Sequence, residues 1–249
     1  MKLPHIPKQS FIFDFVKKTV FLFAWLFWVC SYQAIAQDQN GMETWLDYYH
    51  YHKLSGKTEF YNDGGIRFSS ITPNNSGWWQ VHLRPSVSFR FRARYDFRGG
   101  IGVLFNNNEK NKNPTYFEFR PWQGYRLYWP VIGKLKFTHY LRFEERFIAD
   151  GTNKEFTFKG RYQASTNIPL KAKSITPGTY FIPISIELFL NLFNNATGTR
   201  NDKFRFTAGI AYRKTENIDF LIRGIFQQSP TTTGIDPVIR FTIKQRFGY

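Results

Sequence analysis

Trp79-Gln80-Val81-His82-Leu83-Arg84-Pro85-Ser86-Val87-Ser88-Phe89-Arg90-Phe91 alternates without a break. The apolar members are Trp79, Val81, Leu83, Pro85, Val87, Phe89 and Phe91, and every residue between them is polar or basic. Successive side chains of a β-strand point to opposite faces, so a strict period of two gives one apolar and one basic-polar face. A helix would bring the same residues back every 3.6 positions and mix the two sets.

The same split recurs along the chain. Phe117, Phe119, Tyr125 and Leu127 oppose Glu118, Arg120 and Arg126, and Leu141, Phe143 and Phe147 oppose Arg142, Glu144 and Arg146. Between 180 and 192, Tyr180, Ile182, Ile184, Ile186, Leu188, Leu190 and Leu192 oppose Ser185, Glu187 and Asn191. Ile239, Phe241, Ile243, Phe247 and Tyr249 oppose Arg240, Thr242, Lys244 and Arg246. These segments exceed the roughly 5 or 6 residues of an ordinary globular strand. They reach the roughly 9 to 11 that a tilted membrane-crossing strand needs. A face so rich in Arg and Glu does not suit a dry core, whereas a polar barrel lumen accepts it.

Strand-like segments fall near 43–52, 57–69, 78–92, 94–105, 115–129, 135–148, 155–166, 179–192, 203–213, 217–228 and 235–248. Bacterial single-chain barrels usually have an even number of strands. Either the first segment stays outside a ten-stranded wall, or a twelfth strand completes it. The links at 106–114, 149–155, 194–202 and 229–236 read as long, and those at 130–134 and 214–217 as short, with 167–178 an exception. Long loops at one end and short turns at the other are a barrel habit.

Composition agrees. The chain holds 28 Phe, 14 Tyr and 7 Trp, yet its mean hydropathy is −0.41. Aromatic-rich strands with a polar reverse face produce that pairing, and the competing reading is an aromatic-rich secreted β-sandwich. At the N-terminus Lys2, Lys8, Lys17 and Lys18 precede an apolar run from Val20 to Cys30, followed by Ala34-Ile35-Ala36. This is the layout of a secretory leader cleaved before Gln37, and the run is too short for a spanning helix. The domain reading is therefore a signal peptide over 1–36 and a barrel over 37–249.

The formal charge is +16, and without the leader's four lysines and one aspartate it is still +13. The basic residues are dispersed at alternate strand positions instead of gathered in a patch, which speaks against nucleic acid and for a polar barrel interior or contact with anionic headgroups. Cys30 is the single cysteine and lies in the leader, so the mature chain is expected to have neither disulfides nor cysteine metal sites.

The alternation assigns a lumen-lining set: Arg84, Arg90, Glu118, Arg120, Arg126, Arg142, Glu144, Arg146, Glu187, Arg205, Arg223 and Arg240, with Arg67 and Arg246 on the same faces. Two readings of it stand: a ladder of ion pairs filling a narrow barrel, or a cationic pore or cavity for an anionic solute. A hydrolase would need a base such as His82 beside a serine; Ser86 shares its face but lies about 13 Å along the strand. His50 and His52 share a face but have no evident third metal ligand. Gly64-Gly65 and Gly99-Gly100 sit inside strand-like runs, where bulges or bends are expected in place of phosphate loops.

Two further sets of residues carry a resemblance. The final stretch, with Phe241, Ile243, Phe247 and Tyr249 at its alternate positions, resembles the C-terminal signal read by the barrel assembly machinery, although such signals most often end in Phe. His139-Tyr-Leu-Arg-Phe-Glu-Glu-Arg-Phe147, Ile186-Glu-Leu-Phe-Leu-Asn191 and Arg200-Asn-Asp-Lys-Phe-Arg-Phe-Thr-Ala-Gly-Ile-Ala-Tyr212 together resemble an uncharacterised family of Gram-negative outer-membrane barrels, domain of unknown function twenty-four ninety. The resemblance spans nearly the whole mature chain. It implies a fold and a location, and brings no activity with it.

The expectation is thus an all-β, antiparallel, up-and-down transmembrane barrel of about 10 to 12 strands behind a cleavable leader. Its expected location is the bacterial outer membrane, and its expected partners are membrane lipids and the assembly machinery. No cofactor is expected. The role expected is structural, binding or narrow-pore; the alternatives are a lipid-modifying barrel enzyme and the soluble sandwich.

Overall fold

The computed structural model describes residues 42–69, 77–108, 116–151, 153–194, 203–228 and 235–249, and the leader reading lies outside them. Among the described residues there is no helix. Eleven strands follow in chain order: β1 (Glu43–Lys53), β2 (Thr58–Ser69), β3 (Trp78–Arg92), β4 (Tyr95–Asn108), β5 (Tyr116–Ile132), β6 (Leu135–Asp150), β7 (Asn153–Pro169), β8 (Tyr180–Asn194), β9 (Lys203–Arg213), β10 (Ile218–Gln228) and β11 (Ile235–Phe247). Each pairs with its sequence neighbours, and β1 pairs with β11 to close the barrel.

The closing pair is parallel, in register from Glu43↔Val238 to His52↔Phe247, while every other pair is antiparallel. An all-antiparallel ring alternates direction and must have an even count; an odd count needs one parallel seam. The first segment therefore belongs to the wall, and neither a ten-stranded wall nor a twelfth strand is required.

Alternation translates directly into two faces. Leu83, Phe89, Tyr125 and Ile222 point outward and are about half exposed, whereas Arg84, Glu118, Arg142 and Glu187 point inward and are buried. The apolar rows do not meet across two sheets, so the sandwich alternative is overturned: one closed sheet carries its apolar side chains on the outside. Gln123 and Glu145 also face outward and interrupt that apolar surface.

One rim carries the connections 54–57, 93–94, 133–134, 170–179 and 214–217, here called the turn rim; the other carries 70–77, 109–115, 151–152, 195–202 and 229–234, the loop rim. The link expected to be long at 149–155 is shortened to two residues, because the ladder runs on to Asp150↔Asn153 and keeps the polar Lys154 and Glu155 in strand. The exceptional link at 170–179 folds back over the turn rim. Ile175 packs on the buried, inward-facing Phe181, Ala211 and Leu221, and its carbonyl accepts from Arg213 Nη1 at 3.2 Å.

The glycine pairs are not bulges. Gly64 and Gly65 pair in register with Leu83 and His82, and Gly99 and Gly100 with Val87 and Ser86; register shifts occur at Arg90/Arg92, Tyr128/Val131 and Phe158/Lys159. Gly65 is there for space: a Cβ on it would lie 2.2 Å from Asp47 Oδ1 and 2.5 Å from the Leu46 carbonyl oxygen. Gly65→Ala is expected to cost about 1–3 kcal/mol by overpacking. The measurement is the urea midpoint of the refolded barrel, and an unchanged midpoint would contradict the close approach.

Candidate binding site in the barrel lumen

Three glutamates organise one side of the lumen. Glu118 on β5 accepts from Arg120 Nε (2.9 Å), and from Arg146 through both Nε and Nη2 (2.8 Å for the latter). Glu144 on β6 lies 3.0 Å from Arg120 Nη1, 2.7 Å from Arg142 Nη2 and 3.6 Å from Arg161 Nη1. The Arg142 approach is close but lacks hydrogen-bond geometry, so its attraction is mainly charge to charge. Glu187 on β8 holds Arg161 and, at 3.1 Å, Arg205, whose Nη2 reaches Gln227 at 3.1 Å. The result is one continuous ladder from β5 to β10. Carboxylates with almost no exposed surface need such partners, because an isolated buried charge is prohibitively costly.

A second cluster braces the seam. Arg240 on β11 bonds Asp47 and the Tyr49 hydroxyl on β1. Asp63 on β2 accepts from Arg84 (2.7 Å) and sits 3.2 Å from His82 Nε2, which is 3.6 Å from Asp47. Nearer the turn rim, Arg126 and Tyr128 share Asp96, Arg98 pairs with Glu59, and Arg213 with Arg246 clamp Asp219.

Trp45 stands toward the loop rim. Its ring is 2% exposed, packed against Ile225 and Val238. The Arg67, Arg205 and Arg240 guanidinium carbons lie 4.1, 5.0 and 5.3 Å from the ring centroid. Each is within cation–π range.

Between these groups lies a cavity of about 360 Å³, lined by ten arginines and Lys244 with Asp63 as the one carboxylate. The glutamates stand behind the guanidinium heads they bind, so the surface offered to the cavity is cationic. Six aromatic residues also face it: Tyr49, Tyr51, Tyr61, Trp122, Tyr140 and Phe189. Inward residues near the loop rim are buried, with Ser69, Gln80, Asn106, Glu118 and Gln227 all under one tenth exposed. At the turn rim the inward-facing Lys136 and Asn167 are exposed, and the lining extends to Thr138 and Asn167. The cavity is a cup whose accessible side is the turn rim.

The residues expected to line the lumen divide accordingly. Arg84, Arg120, Arg126, Arg142, Arg205, Arg223 and Arg240 reach the cavity. Glu118, Glu144, Arg146 and Glu187 face inward as its supporting layer. Arg90 is exposed at the turn rim, its guanidinium 5.8 Å from the Tyr128 ring. Arg98, Arg161, Tyr49 and Asp63 also line the cavity and fall outside the expected set, and so does Lys244, although the alternation puts it on the polar face of the last segment. Arg161 could have been found by counting through Gly160, since Thr157, Lys159 and Arg161 keep the alternation that the glycine obscures.

The other candidates separate cleanly. His82 meets carboxylates and Arg84, while Ser86 and Ser88 donate to the Tyr61 and Glu59 carbonyls, so the serine pairing a hydrolase would need does not form there. His50 and His52 face outward and stack with Phe247. Among the described residues, no group of three His, Cys, Asp or Glu could hold a metal ion. Of the C-terminal set, Phe241 and Ile243 are exposed on the outer side, whereas Tyr249 is exposed beyond the end of β11. The Tyr249 hydroxyl donates to Glu59, and burial together with that bond pushes its phenol above the usual range.

Fold and lumen define a class: a closed eleven-stranded β-barrel with an apolar exterior and an arginine-rich interior. Residues 42–237 match the family model described as protein of unknown function (DUF2490), and the chain belongs to that family. No curated protein and no solved structure matches it.

Proposed function

We propose that the protein is an outer-membrane barrel that binds small anions in its lumen, its cup opening at the turn rim toward the periplasm. The observation that carries this reading is the cavity lining, ten arginines and a lysine against a single carboxylate. A confined cationic surface of about 360 Å³ falls in the size range of small-molecule sites. Burial of the inward residues at the loop rim, and the Trp45 cluster below the cup, favour a dead-ended site over an open pore.

The membrane part rests on the outer surface. Aliphatic and Phe side chains are exposed along the strands, with Tyr125, Trp129, Tyr180 and Tyr212 toward the turn rim, as interfacial aromatic belts have. The leader, the outward C-terminal pair Phe241 and Ile243, and short turns at one rim fit export and insertion by the barrel assembly machinery.

The mature chain, refolded in detergent, is expected to migrate as a heat-modifiable band, to resist carbonate extraction from cell envelopes, and to keep planar bilayers silent. Millimolar sulfate or phosphate is expected to raise its unfolding midpoint at constant ionic strength. A mature chain that stays soluble without detergent overturns the membrane reading; stepwise channel openings overturn the dead-ended cup.

A further inference from the structure

Resting on the anion-binding reading, the geometry points to a phosphate monoester as the ligand class, its phosphoryl group held by Arg223, Lys244 and the Tyr49 hydroxyl where β10, β11 and β1 adjoin.

Most cations lining the cavity have a carboxylate at contact distance, but among the described residues Arg67, Arg223 and Lys244 have none; Arg67 is held instead by Gln80 and the Trp45 ring, away from the other two. Arg223 spends one Nη2 hydrogen bond on Thr242 Oγ1 at 2.6 Å, and its Nε is buried without a partner. Directly across the ladder from Arg223 stands Arg240, a like charge in the position where cross-strand pairs repel. The cross-strand partner of Lys244 is Asp219, which is already engaged by Arg213 and Arg246. Arg223, Arg240 and Lys244 surround the Tyr49 ring, 6.0, 5.5 and 5.8 Å from its centroid. Asp47 neutralises Arg240, leaving Arg223 and Lys244 as two basic groups around one phenol without a carboxylate in contact. All three residues line the cavity.

The chemistry of that group selects the ligand. It offers a guanidinium fork, an ammonium point charge and a hydroxyl, so a fully ionised tetrahedral oxyanion can accept from several sides. A dianion makes fuller use of these two basic groups than a monoanion does. A phosphate monoester carries about −1.5 to −2 at neutral pH, its second pKa being about 6; a carboxylate or a sulfate ester carries about half that. Gly209, the neighbour of Arg223 on β9, admits the stem of that arginine, since a Cβ there would fall 2.1 Å from the Ile222 carbonyl oxygen and 2.9 Å from Arg223 Cγ. From Tyr49 the rings of Tyr61 (5.9 Å) and then Tyr51 (4.7 Å beyond) continue along the cavity wall. Tyrosine faces of this kind suit a hydroxylated ring or a glycerol unit attached to the phosphate.

The test is isothermal titration of the full mature barrel in detergent with glucose 1-phosphate, dihexanoyl phosphatidic acid, glucose 1-sulfate, acetate and glucose. Binding of either phosphate ester at least tenfold tighter than the sulfate ester and acetate is the expected result. R223Q and K244Q are each expected to weaken it tenfold or more, while R90Q at the rim leaves it within twofold. Preference for the sugar phosphate identifies a soluble ligand, and preference for the phosphatidic acid a lipid headgroup; both uphold the site. Equal binding of all the anions overturns the phosphate assignment and leaves the anion-binding reading standing, whereas no anion binding at all removes both. Phosphate binding unchanged in heat-modifiable R223Q and K244Q overturns the location. Should R223Q fail to fold, K244Q and Y49F decide the outcome by the same criterion.

Discussion

Replacing Glu144 with leucine is expected to remove about 3–5 kcal/mol of stability, the usual penalty for stranding buried charges by deleting their partner. The carboxylate is buried and serves Arg120, Arg142 and Arg161 together. Its loss leaves Arg142 without any carboxylate at contact distance and takes from Arg120 one of its two. Relaxation is restricted, because Arg142 also stacks at 4.2 Å on Trp122 and cannot simply swing to solvent. Glu144→Gln keeps an acceptor oxygen and is expected to fall between the two, whereas Glu145→Gln, one residue along on the outer face, is expected to have little effect on the ladder. Urea titration of the refolded barrel, read by tryptophan fluorescence and heat-modifiable mobility, measures all three. A Glu144→Leu barrel as stable as the parent would mean that the ion ladder contributes nothing to the interior.

The second large effect is expected at Trp45. Truncation to alanine vacates a ring that is 2% exposed and packed against Ile225 and Val238, a change that costs about 3–5 kcal/mol in well-packed sites. It also frees Arg67, Arg205 and Arg240 from the ring on which they converge. Three guanidinium groups that lose their aromatic seat become available to water and anions. Trp45→Ala is therefore expected to turn an electrically silent barrel into one with a small, anion-selective conductance, and Trp45→Phe to remain silent. Planar-bilayer recording separates the two. A silent Trp45→Ala barrel that is still folded would show that the ring does not seal the lumen.

Much of this architecture was legible from alternation alone, because a two-residue period leaves only two faces to assign. The strand at 78–92 shows this best, since every odd residue from Trp79 to Phe91 is apolar and every even one is not. Legibility fails where both faces share a residue type. Along Tyr48-Tyr49-His50-Tyr51-His52 the inner and outer side chains are equally aromatic, so Tyr49 could not be recognised as a lumen residue. Asp63 and Arg98 sit beside glycine pairs that blank a position on each face of the pattern. Convergence across the lumen, such as Arg205 of β9 on Trp45 of β1, depends on barrel closure, which no local period encodes. Strand direction is equally invisible to alternation, and the even-number expectation failed for that reason.

The parallel join of β1 with β11 has a consequence for assembly. Until Ile235–Phe247 is in place, a half-made sheet has two raw borders, one along Glu43–Lys53 and the other along Ile218–Gln228, each with unspent amide and carbonyl groups. Borders of that kind recruit foreign strands. The strand that closes the ring is thus the one that removes both hazards at once, and a sheet lacking it would retain its stickiness however well the other ten strands had formed.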